Sequence, residues 1–127
     1  MTNMLNMSVK ILVIDDETII RDLLKEFLSD LGFQVLLAED GKKGIQLGSD
    51  CNIKLALVDL KLPDLEGIQV VKKIREKNPR LRFILLTGYP TPQARKQAEQ
   101  LGTSGFLTKP FKLPELQSLI QKALKGS

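Results

Sequence analysis

The sequence predicts an α/β fold, a doubly wound parallel sheet of five strands with five helices distributed over its two faces. Short apolar runs alternate with segments of helical periodicity five times along the chain, which is the pattern of successive βαβ units with right-handed crossovers. The first run is almost wholly apolar, as expected of a strand covered on both faces. The chain has 127 residues and shows no internal linker or repeat, so it has the size of one domain. We therefore expect a single domain over residues 9–127, after a flexible leader of residues 1–8.

Apolar periodicity defines the first strand and the first helix. The strand covers residues 9–14 and the helix residues 17–31, and Gly32 ends the helix. The large apolar side chains of this helix recur on one face: Ile20, Leu23, Leu24, Phe27, Leu28 and Leu31.

The second and third strands enclose a short helix. The strands cover residues 34–38 and 55–58. The helix between them follows Gly41 and has only Ile45 and Leu47 as large apolar residues. We therefore expect this helix to be weakly anchored.

The second half of the chain continues the alternation. A third helix begins near Glu66 and stops at 78–79, where a proline follows an asparagine, and a strand covers 82–86. Thr91 as N-cap and Pro92 at the first helical position begin the fourth helix. The apolar face of this helix is poor and consists of Ala94, Ala98 and Leu101. The last elements are a strand over 104–108 and a helix from Leu113.

The amino-acid composition excludes several classes of catalytic and metal site. The chain has no histidine, which excludes Ser-His-Asp and Cys-His catalysis, histidine-ligated zinc and a phosphohistidine of its own. Cys51 is the single cysteine, so no internal disulfide forms, which fits a reducing cytosol. The leader does not resemble a signal peptide, and no apolar run approaches the roughly 20 residues of a membrane span. We expect a cytoplasmic protein with no membrane span.

The net charge of +4 arises partly from one local stretch. Its cations are Lys72, Lys73, Arg75, Lys77, Arg80 and Arg82. A solvated helix face explains such a stretch, and so would a contact surface for an acidic partner or nucleic acid. We favour the solvated face and expect no nucleic-acid binding by this domain, because the stretch lacks interleaved aromatic residues and nucleic-acid motifs.

Polar residues follow the apolar runs at the ends of four predicted strands. They are Asp15 and Asp16, Asp59, Thr87 and Lys109. Each has an ordinary explanation as a helix N-cap, a strand end or a salt-bridge partner. The carboxyl ends of parallel strands meet at one edge of the sheet, however, and such edges bind ligands. Three carboxylates crowded there repel one another unless a cation compensates, and oxygen ligands with room for water fit Mg²⁺.

This set of groups suits phosphoryl transfer, which depends on positioning and on charge neutralisation. Mg²⁺, the Lys109 ammonium and the Thr87 hydroxyl would contact the phosphoryl oxygens while an oxygen of Asp59 attacks in line. Gly88 leaves room for the donor. Because the chain has no histidine, the phosphoryl group must arrive from another molecule.

With these motifs in order, the chain resembles the receiver domains of bacterial two-component response regulators (CheY-like) over residues 10–124. The pair Asp15-Asp16 is similar to the acidic pair of that family, and residues 59–67 are similar to its phosphoacceptor strand and loop. Thr87-Gly88 matches its hydroxyl-plus-small pair, and residues 105–111 match its lysine motif.

The resemblance implies a phosphoacceptor and a metal site. Asp59 would be the phosphoacceptor. Mg²⁺ would be the cofactor, bound directly by Asp16 and Asp59, through water by Asp15, and by the backbone carbonyl of Lys61.

The resemblance also implies catalytic and switching residues. Thr87 and Lys109 would assist Asp59 in catalysis, and Lys109–Pro110 would be a cis peptide. Thr87 and Phe106 would form the switch, with Phe106 at a position that is often tyrosine in the family.

The strand order 2-1-3-4-5 of flavodoxin-like folds follows from the same resemblance, as do the partners. The domain would take its phosphoryl group from a histidine kinase or a histidine phosphotransfer protein. It would signal to an output domain or effector through its fourth helix, fifth strand and fifth helix, and would catalyse only its own phosphorylation and dephosphorylation.

Two other functions are compatible with this fold. A haloacid-dehalogenase-like phosphatase also uses an aspartyl nucleophile, Mg²⁺, threonine and lysine, but it needs Asp-x-Asp after the first strand, and Glu17 stands at the second aspartate position. An FMN carrier needs a phosphate loop there, and three consecutive acids would repel a phosphate. A stand-alone regulator, a phosphorelay intermediate and a piece of a larger regulator or hybrid kinase all remain open.

Overall fold

The computed structural model describes residues 9–125, so the predicted leader and residues 126–127 lie outside the described part. The strands are β1 (Lys10–Ile14), β2 (Gln34–Ala38), β3 (Ile53–Asp59), β4 (Arg82–Thr87) and β5 (Gly105–Thr108). The helices are α1 (Thr18–Asp30), α2 (Gly41–Gly48), α3 (Gly67–Lys77), α4 (Pro92–Gln100) and α5 (Leu113–Lys125).

The five strands form one parallel sheet in the order β2-β1-β3-β4-β5, which confirms the predicted fold class. One core lies between the sheet and helices α1 and α5, with Leu24, Leu28 and Ile120 among its buried side chains. The other core lies on the opposite face, under α2, α3 and α4. Both faces of the central strands are therefore covered, as their apolar sequences require.

The helix termini follow the sequence signals. Gly32 follows Leu31, the C-cap of α1, and has a φ of 100°, a left-handed conformation that glycine adopts without steric penalty. The Glu66 side chain forms a capping box with Gln69 at the start of α3, and the Thr91 hydroxyl accepts from the backbone N–H of Ala94 at 3.0 Å at the start of α4. These caps satisfy amide groups that the first turn of a helix leaves without partners.

Three glycines allow α2 to lie close against the rest of the protein, beside the partly buried Ile45 and Leu47. Gly41, Gly44 and Gly48 are its buried residues. A Cβ added to Gly44 would lie 2.6 Å from Cδ1 of Ile14, and one added to Gly48 would lie 2.7 Å from Cδ1 of Ile74. The expectation of a weakly anchored helix overlooked this close approach, which helps to hold α2 in place.

Helix α4 has the poor apolar face that its sequence predicts. Ala98 is its single buried residue. Within residues 9–125, none of the helices combines the length and the apolar character that crossing a bilayer would require.

Candidate functional site

The fold brings the predicted polar residues to the carboxyl edge of the sheet. Asp15 directly follows β1, Asp59 and Thr87 are the last residues of β3 and β4, and Lys109 directly follows β5. The backbone holds them in register, because the Lys109 N–H donates to the Thr87 carbonyl at 2.7 Å. The Leu60 N–H, next to Asp59, donates to the Leu86 carbonyl at 2.9 Å.

Four carboxylates form one cluster at this edge. Oxygen atoms of Asp15, Asp16, Glu17 and Asp59 all lie within 4.8 Å of one another. Asp15 is 0% exposed and Asp59 is 6% exposed, whereas Asp16 and Glu17 are exposed. Glu17 was not among the predicted site residues. The one available signal was its place directly after the acidic pair.

The Lys109 ammonium lies among three of these carboxylates. Its Nζ is 2.7 Å from Asp15 Oδ2, 2.8 Å from Asp59 Oδ2 and 2.9 Å from Glu17 Oε1. Burial opposes the charge on the ammonium, but hydrogen bonds to Asp15, Asp59 and Glu17 outweigh burial and raise the pKa of Lys109. The lysine therefore carries its full charge at neutral pH.

The two buried aspartates are fixed by backbone amides as well. Burial raises the pKa of Asp15, although the Lys109 ammonium and the Glu17 N–H, which donates to Oδ1 at 2.9 Å, act in the opposite direction. Oδ1 of Asp59 accepts from the Lys61 N–H at 2.9 Å. In each of these two carboxylates, one oxygen accepts a hydrogen bond from a backbone amide and the other accepts one from Lys109. The two bonds together set the orientation of the carboxylate.

A solvent-accessible cavity of about 420 Å³ opens over the cluster. Its lining includes Asp59, Lys109, Gly88 and Tyr89, together with Asp16, Glu17, Lys61, Leu62 and Pro63. Asp15 is not among the lining residues. A larger cavity of about 710 Å³ lies at the opposite edge of the sheet, where its lining contains four cations but no carboxylate. The chemistry of the lining, not the volume, identifies the smaller cavity as the candidate site.

Thr87 is nearly fully buried and faces a neighbouring cavity. Its Oγ1 accepts from the Tyr89 N–H at 3.0 Å. It helps to line a groove of about 320 Å³ that Lys61 and Tyr89 share with the site cavity. Nζ of Lys61 lies 5.1 Å from the centre of the Tyr89 ring, so these two side chains stand between the two openings.

Phe106 and Pro110 complete the predicted set. Phe106 is half-buried on β5 and packs against the core under α2, α3 and α4. Lys109–Pro110 is a cis peptide, as the resemblance implied. Phe106 thus lies beyond the acidic cluster, on the side of the sheet that α4 covers.

The donor set of the cluster fits a hard divalent cation. It offers carboxylate oxygens only, two of them on exposed residues that leave room for water. Mg²⁺ prefers such ligands and retains several waters, whereas transition metals favour nitrogen and sulfur. Asp15, Asp16, Glu17 and Asp59 can therefore hold Mg²⁺ without the help of another side-chain type.

A sequence model of the response regulator receiver domain family matches residues 11–121. The chain is 36% identical over 116 residues to a cyclic di-GMP phosphodiesterase of Thermotoga maritima, which covers 91% of this chain and 31% of that protein. It is 30% identical over 118 residues to sporulation initiation phosphotransferase F of Bacillus subtilis, covering 93% of this chain and 95% of that protein.

The fold is also similar to that of a response regulator protein from Burkholderia pseudomallei. The TM-score is 0.81 at 25% identity, over 92% of this chain and 69% of that one. The Burkholderia structure contains a phosphorylated aspartic acid, a calcium ion and citrate. Among the two sequence relatives, the chain spans under a third of the phosphodiesterase but nearly all of the phosphotransferase.

Proposed function

The chain belongs to the response regulator receiver domain family, and we propose on that basis that it is a signalling domain switched by phosphorylation of Asp59. One observation identifies Asp59, among the four carboxylates of the cluster, as the proposed phosphoacceptor. Asp59 is the only carboxylate of the cluster, among the described residues, that both ends a strand of the sheet and lines the site cavity. Asp15 is fully buried and does not line it. Asp16 and Glu17 line the cavity from a loop.

The phosphoryl transfer is a displacement at phosphorus. An oxygen of Asp59 forms a bond to phosphorus while the bond from phosphorus to the donor nitrogen breaks, and the donor leaves with the bonding electron pair. A phosphohistidine of a histidine kinase or of a histidine phosphotransfer protein is a donor of this kind, and this chain has no histidine of its own. The product is an acyl phosphate on Asp59.

Two side chains assist the transfer. The Lys109 ammonium, 2.8 Å from Asp59 Oδ2, lies where negative charge builds up on the phosphoryl oxygens. The Thr87 hydroxyl turns towards a phosphoryl oxygen after transfer and gives up the hydrogen bond it now accepts from the Tyr89 N–H. This exchange links the chemistry at Asp59 to the loop before α4.

Mg²⁺ would be held directly by the carboxylates of Asp16 and Asp59 and the backbone carbonyl of Lys61, and through water by Asp15. When bound, it supplies positive charge that offsets the repulsion between the carboxylates and the incoming phosphoryl group. Glu17 keeps its contact with Lys109 in this arrangement and is a further carboxylate at the rim of the site.

The output surface is the α4–β5–α5 face, which an output domain or effector protein would contact. This proposal is supported by the single buried residue of α4, Ala98, because an element with few buried contacts changes position at low cost. The domain would catalyse its own phosphorylation and dephosphorylation and no other reaction.

The test is phosphorylation by a small donor. Incubation with acetyl phosphate and Mg²⁺ should add one phosphoryl group to the intact protein, and the addition should be lost in Asp59→Asn and in excess EDTA. Asp22→Asn is the matched control, because Asp22 is an exposed aspartate of α1 outside the site cavity and should leave the modification in place. Phosphorylated Asp59→Asn protein, or unmodified wild type with Mg²⁺ present, would rule out the proposal.

A further inference from the structure

Helix α4 lacks the apolar contacts that hold the other long helices. Its one buried side chain is that of Ala98. Its N-cap bond, from the Ala94 N–H to Thr91, lies within the helix itself and does not fix it to the sheet. Besides Ala98 and the partly buried C-cap residue Leu101, two arginines, Arg75 and Arg95, attach α4 to its neighbours.

Arg75 reaches from α3 to the carboxyl end of α4. Its guanidinium donates to the carbonyl of Leu101 and, at 3.5 Å, to that of Gly102. Its Cζ lies 5.3 Å from the centre of the Phe83 ring on β4. The last carbonyls of a helix have no partners within the helix and carry the negative end of its dipole, so a cation there is favourable.

The environment of Arg75 shows that it is a structural contact and not a freely solvated charge. Its side chain is half-buried, and burial lowers the pKa of its guanidinium. A second bond at the same end runs from the Thr103 hydroxyl to the Ala98 carbonyl at 3.0 Å. The carboxyl end of α4 is therefore tied to α3 and β4. This role differs from the solvated face that the sequence suggested for the basic stretch.

Arg95 holds the middle of α4 in a different way. Its Cζ lies 4.7 Å from the centre of the Phe106 ring on β5. Arg95 is exposed and Phe106 is half-buried, so the guanidinium covers the outer face of the ring. A cation over an aromatic face at an exposed site gives a modest attraction that is lost when the ring moves away.

The amino end of α4 is connected to the site through a short loop. The Tyr89 N–H donates to the Thr87 hydroxyl at 3.0 Å, and the Thr91 N–H donates to the Tyr89 carbonyl at 2.9 Å. A change at the Thr87 hydroxyl therefore reaches the N-cap of α4 through two consecutive hydrogen bonds.

We propose that Arg75 is the hinge of α4 and Arg95 is its latch. The helix turns about its carboxyl end, which Arg75 keeps in place, and its amino end follows the loop of Tyr89 when Thr87 turns to the phosphoryl group. The movement separates Arg95 from Phe106 and leaves the ring free to change position. Arg95 is thus a positioning residue that favours the resting state. The inference rests on the proposed phosphorylation of Asp59.

Beryllofluoride, a phosphoryl mimic, tests the latch. Tyr89 is the only tyrosine and the chain has no tryptophan, so intrinsic fluorescence reports on a residue that lines the site. Titration at saturating Mg²⁺ should show beryllofluoride binding to Arg95→Ala about two- to fivefold more tightly than to wild type, since an exposed cation–π contact no longer opposes the switched state. Arg95→Lys, which keeps a cation, should lie closer to wild type.

Lys96→Ala is the matched control, because Lys96 is the next residue of α4 and is also exposed. It removes the same charge and should bind beryllofluoride as wild type does. Equal affinities of Arg95→Ala and Lys96→Ala, or weaker binding by Arg95→Ala, would overturn the latch. Absence of beryllofluoride binding to wild type would instead count against the proposed function itself.

Amide hydrogen exchange tests the hinge. In the absence of beryllofluoride, Arg75→Gln should speed exchange severalfold over residues 98–102, where its carbonyl partners lie. Lys72→Gln, an exposed lysine of the same helix, should leave this segment unchanged. Unchanged protection of residues 98–102 in Arg75→Gln would overturn the hinge.

Discussion

At the residue scale, a single ammonium group determines the resting state of the site. Lys109 contacts Asp15, Glu17 and Asp59 at 2.9 Å or less and so reduces the repulsion among carboxylates that lie within 4.8 Å of one another. Two of the three contacts go to nearly buried groups, where charge pairs are screened less than at the surface. Lys109 therefore makes an acidic, partly buried site tolerable in a folded protein.

Tyr89 is expected to control how long the phosphoryl group persists. It is 72% exposed, and Nζ of Lys61 lies 5.1 Å from the centre of its ring at the cavity opening. A ring in this position would obstruct the in-line approach of water to the phosphorus of an acyl phosphate on Asp59. Tyr89→Ala should shorten the lifetime of the acyl phosphate severalfold, measured as loss of the label after removal of acetyl phosphate. Tyr89→Phe retains the ring and should behave as wild type. An unchanged half-life in Tyr89→Ala would reject the shielding role.

The sequence predicted that these polar residues meet at one edge of the sheet, because each strand end has a fixed place in it. Asp59 and Thr87 are strand residues, and their positions follow from register. Glu17 is different, because it stands at the N-cap position of α1 in a loop and does not cap the helix with its side chain. Periodicity does not determine where a loop side chain points, so its contact with Lys109 was found only in the structure.

At the element scale, α3 starts unusually close to the end of β3. A Cβ on Gly67 would lie 2.4 Å from the Asp59 carbonyl oxygen and 2.7 Å from Cα of Leu60. These are backbone atoms, which cannot turn aside as a side chain does. The Gly67 N–H also donates to the Leu60 carbonyl at 2.8 Å. The absence of a side chain at Gly67 thus allows α3 to begin beside the proposed acceptor.

Gly67→Ala should therefore displace the backbone at Asp59. We expect it to lower the free energy of unfolding in urea by about 1–3 kcal/mol and to slow phosphorylation by acetyl phosphate. Gly88→Ala is the control, since a Cβ there meets nothing within 4 Å and stability should change little. Equal stabilities of the two variants would contradict the close approach.

The loop between β3 and α3 is also bonded to α2. The carboxylate of Asp64 accepts from the N–H groups of Gly41 at 2.8 Å and Lys42 at 2.9 Å. These bonds lower the pKa of Asp64 below its ordinary value of 3.8, and the bond from Gly41 has the largest effect. A lowered pKa contributes stability at pH above the ordinary value, and this contribution is lost as the pH falls through the folded pKa.

Asp64→Ala should accordingly lower the free energy of unfolding at pH 7, and its difference from wild type should shrink below a pH of about 4. Urea unfolding at several pH values measures this difference. Asp22→Ala changes an exposed aspartate of α1 on the other face of the sheet and should lower the free energy of unfolding at pH 7 much less. A difference for Asp64→Ala that grows on acidification would contradict the assignment.

The presence of each strand was easier to predict than its first and last residues. Residues 34–38 were predicted correctly to the residue, because the apolar run and the strand coincide. Strand β3 begins two residues before the predicted start, at Ile53, because the exposed Lys54 interrupts the apolar run. The anchoring of α2 was missed for a related reason, since the contacts of its glycines depend on tertiary packing that no local pattern encodes.

At the scale of the whole molecule, the sheet separates two layers with different properties. On one face α1 and α5 bury large apolar side chains such as Leu24 and Leu116. On the other face α4 contributes Ala98 alone to the buried core. A change at the shared edge of the sheet should therefore spread through α4 rather than through α1 or α5, because fewer buried contacts hold α4 in place.

Chemical shifts of the backbone amides test this asymmetry. Addition of beryllofluoride and Mg²⁺ should concentrate the changes beyond the immediate site at residues 88–112, because the loop before α4, α4 itself and β5 respond together. Mg²⁺ alone should change residues around the acidic cluster only. Changes confined to α1 would contradict the proposed direction of the switch.

The central claim is that Asp59 accepts the phosphoryl group, and locating the acyl phosphate tests it most directly. Borohydride reduces an aspartyl phosphate to homoserine with release of phosphate, so treatment after incubation with acetyl phosphate and Mg²⁺ marks the modified residue in a peptide mass map. The account predicts homoserine at position 59 and at no other aspartate. Homoserine at position 15, 16 or 64, with position 59 unmodified, would contradict it.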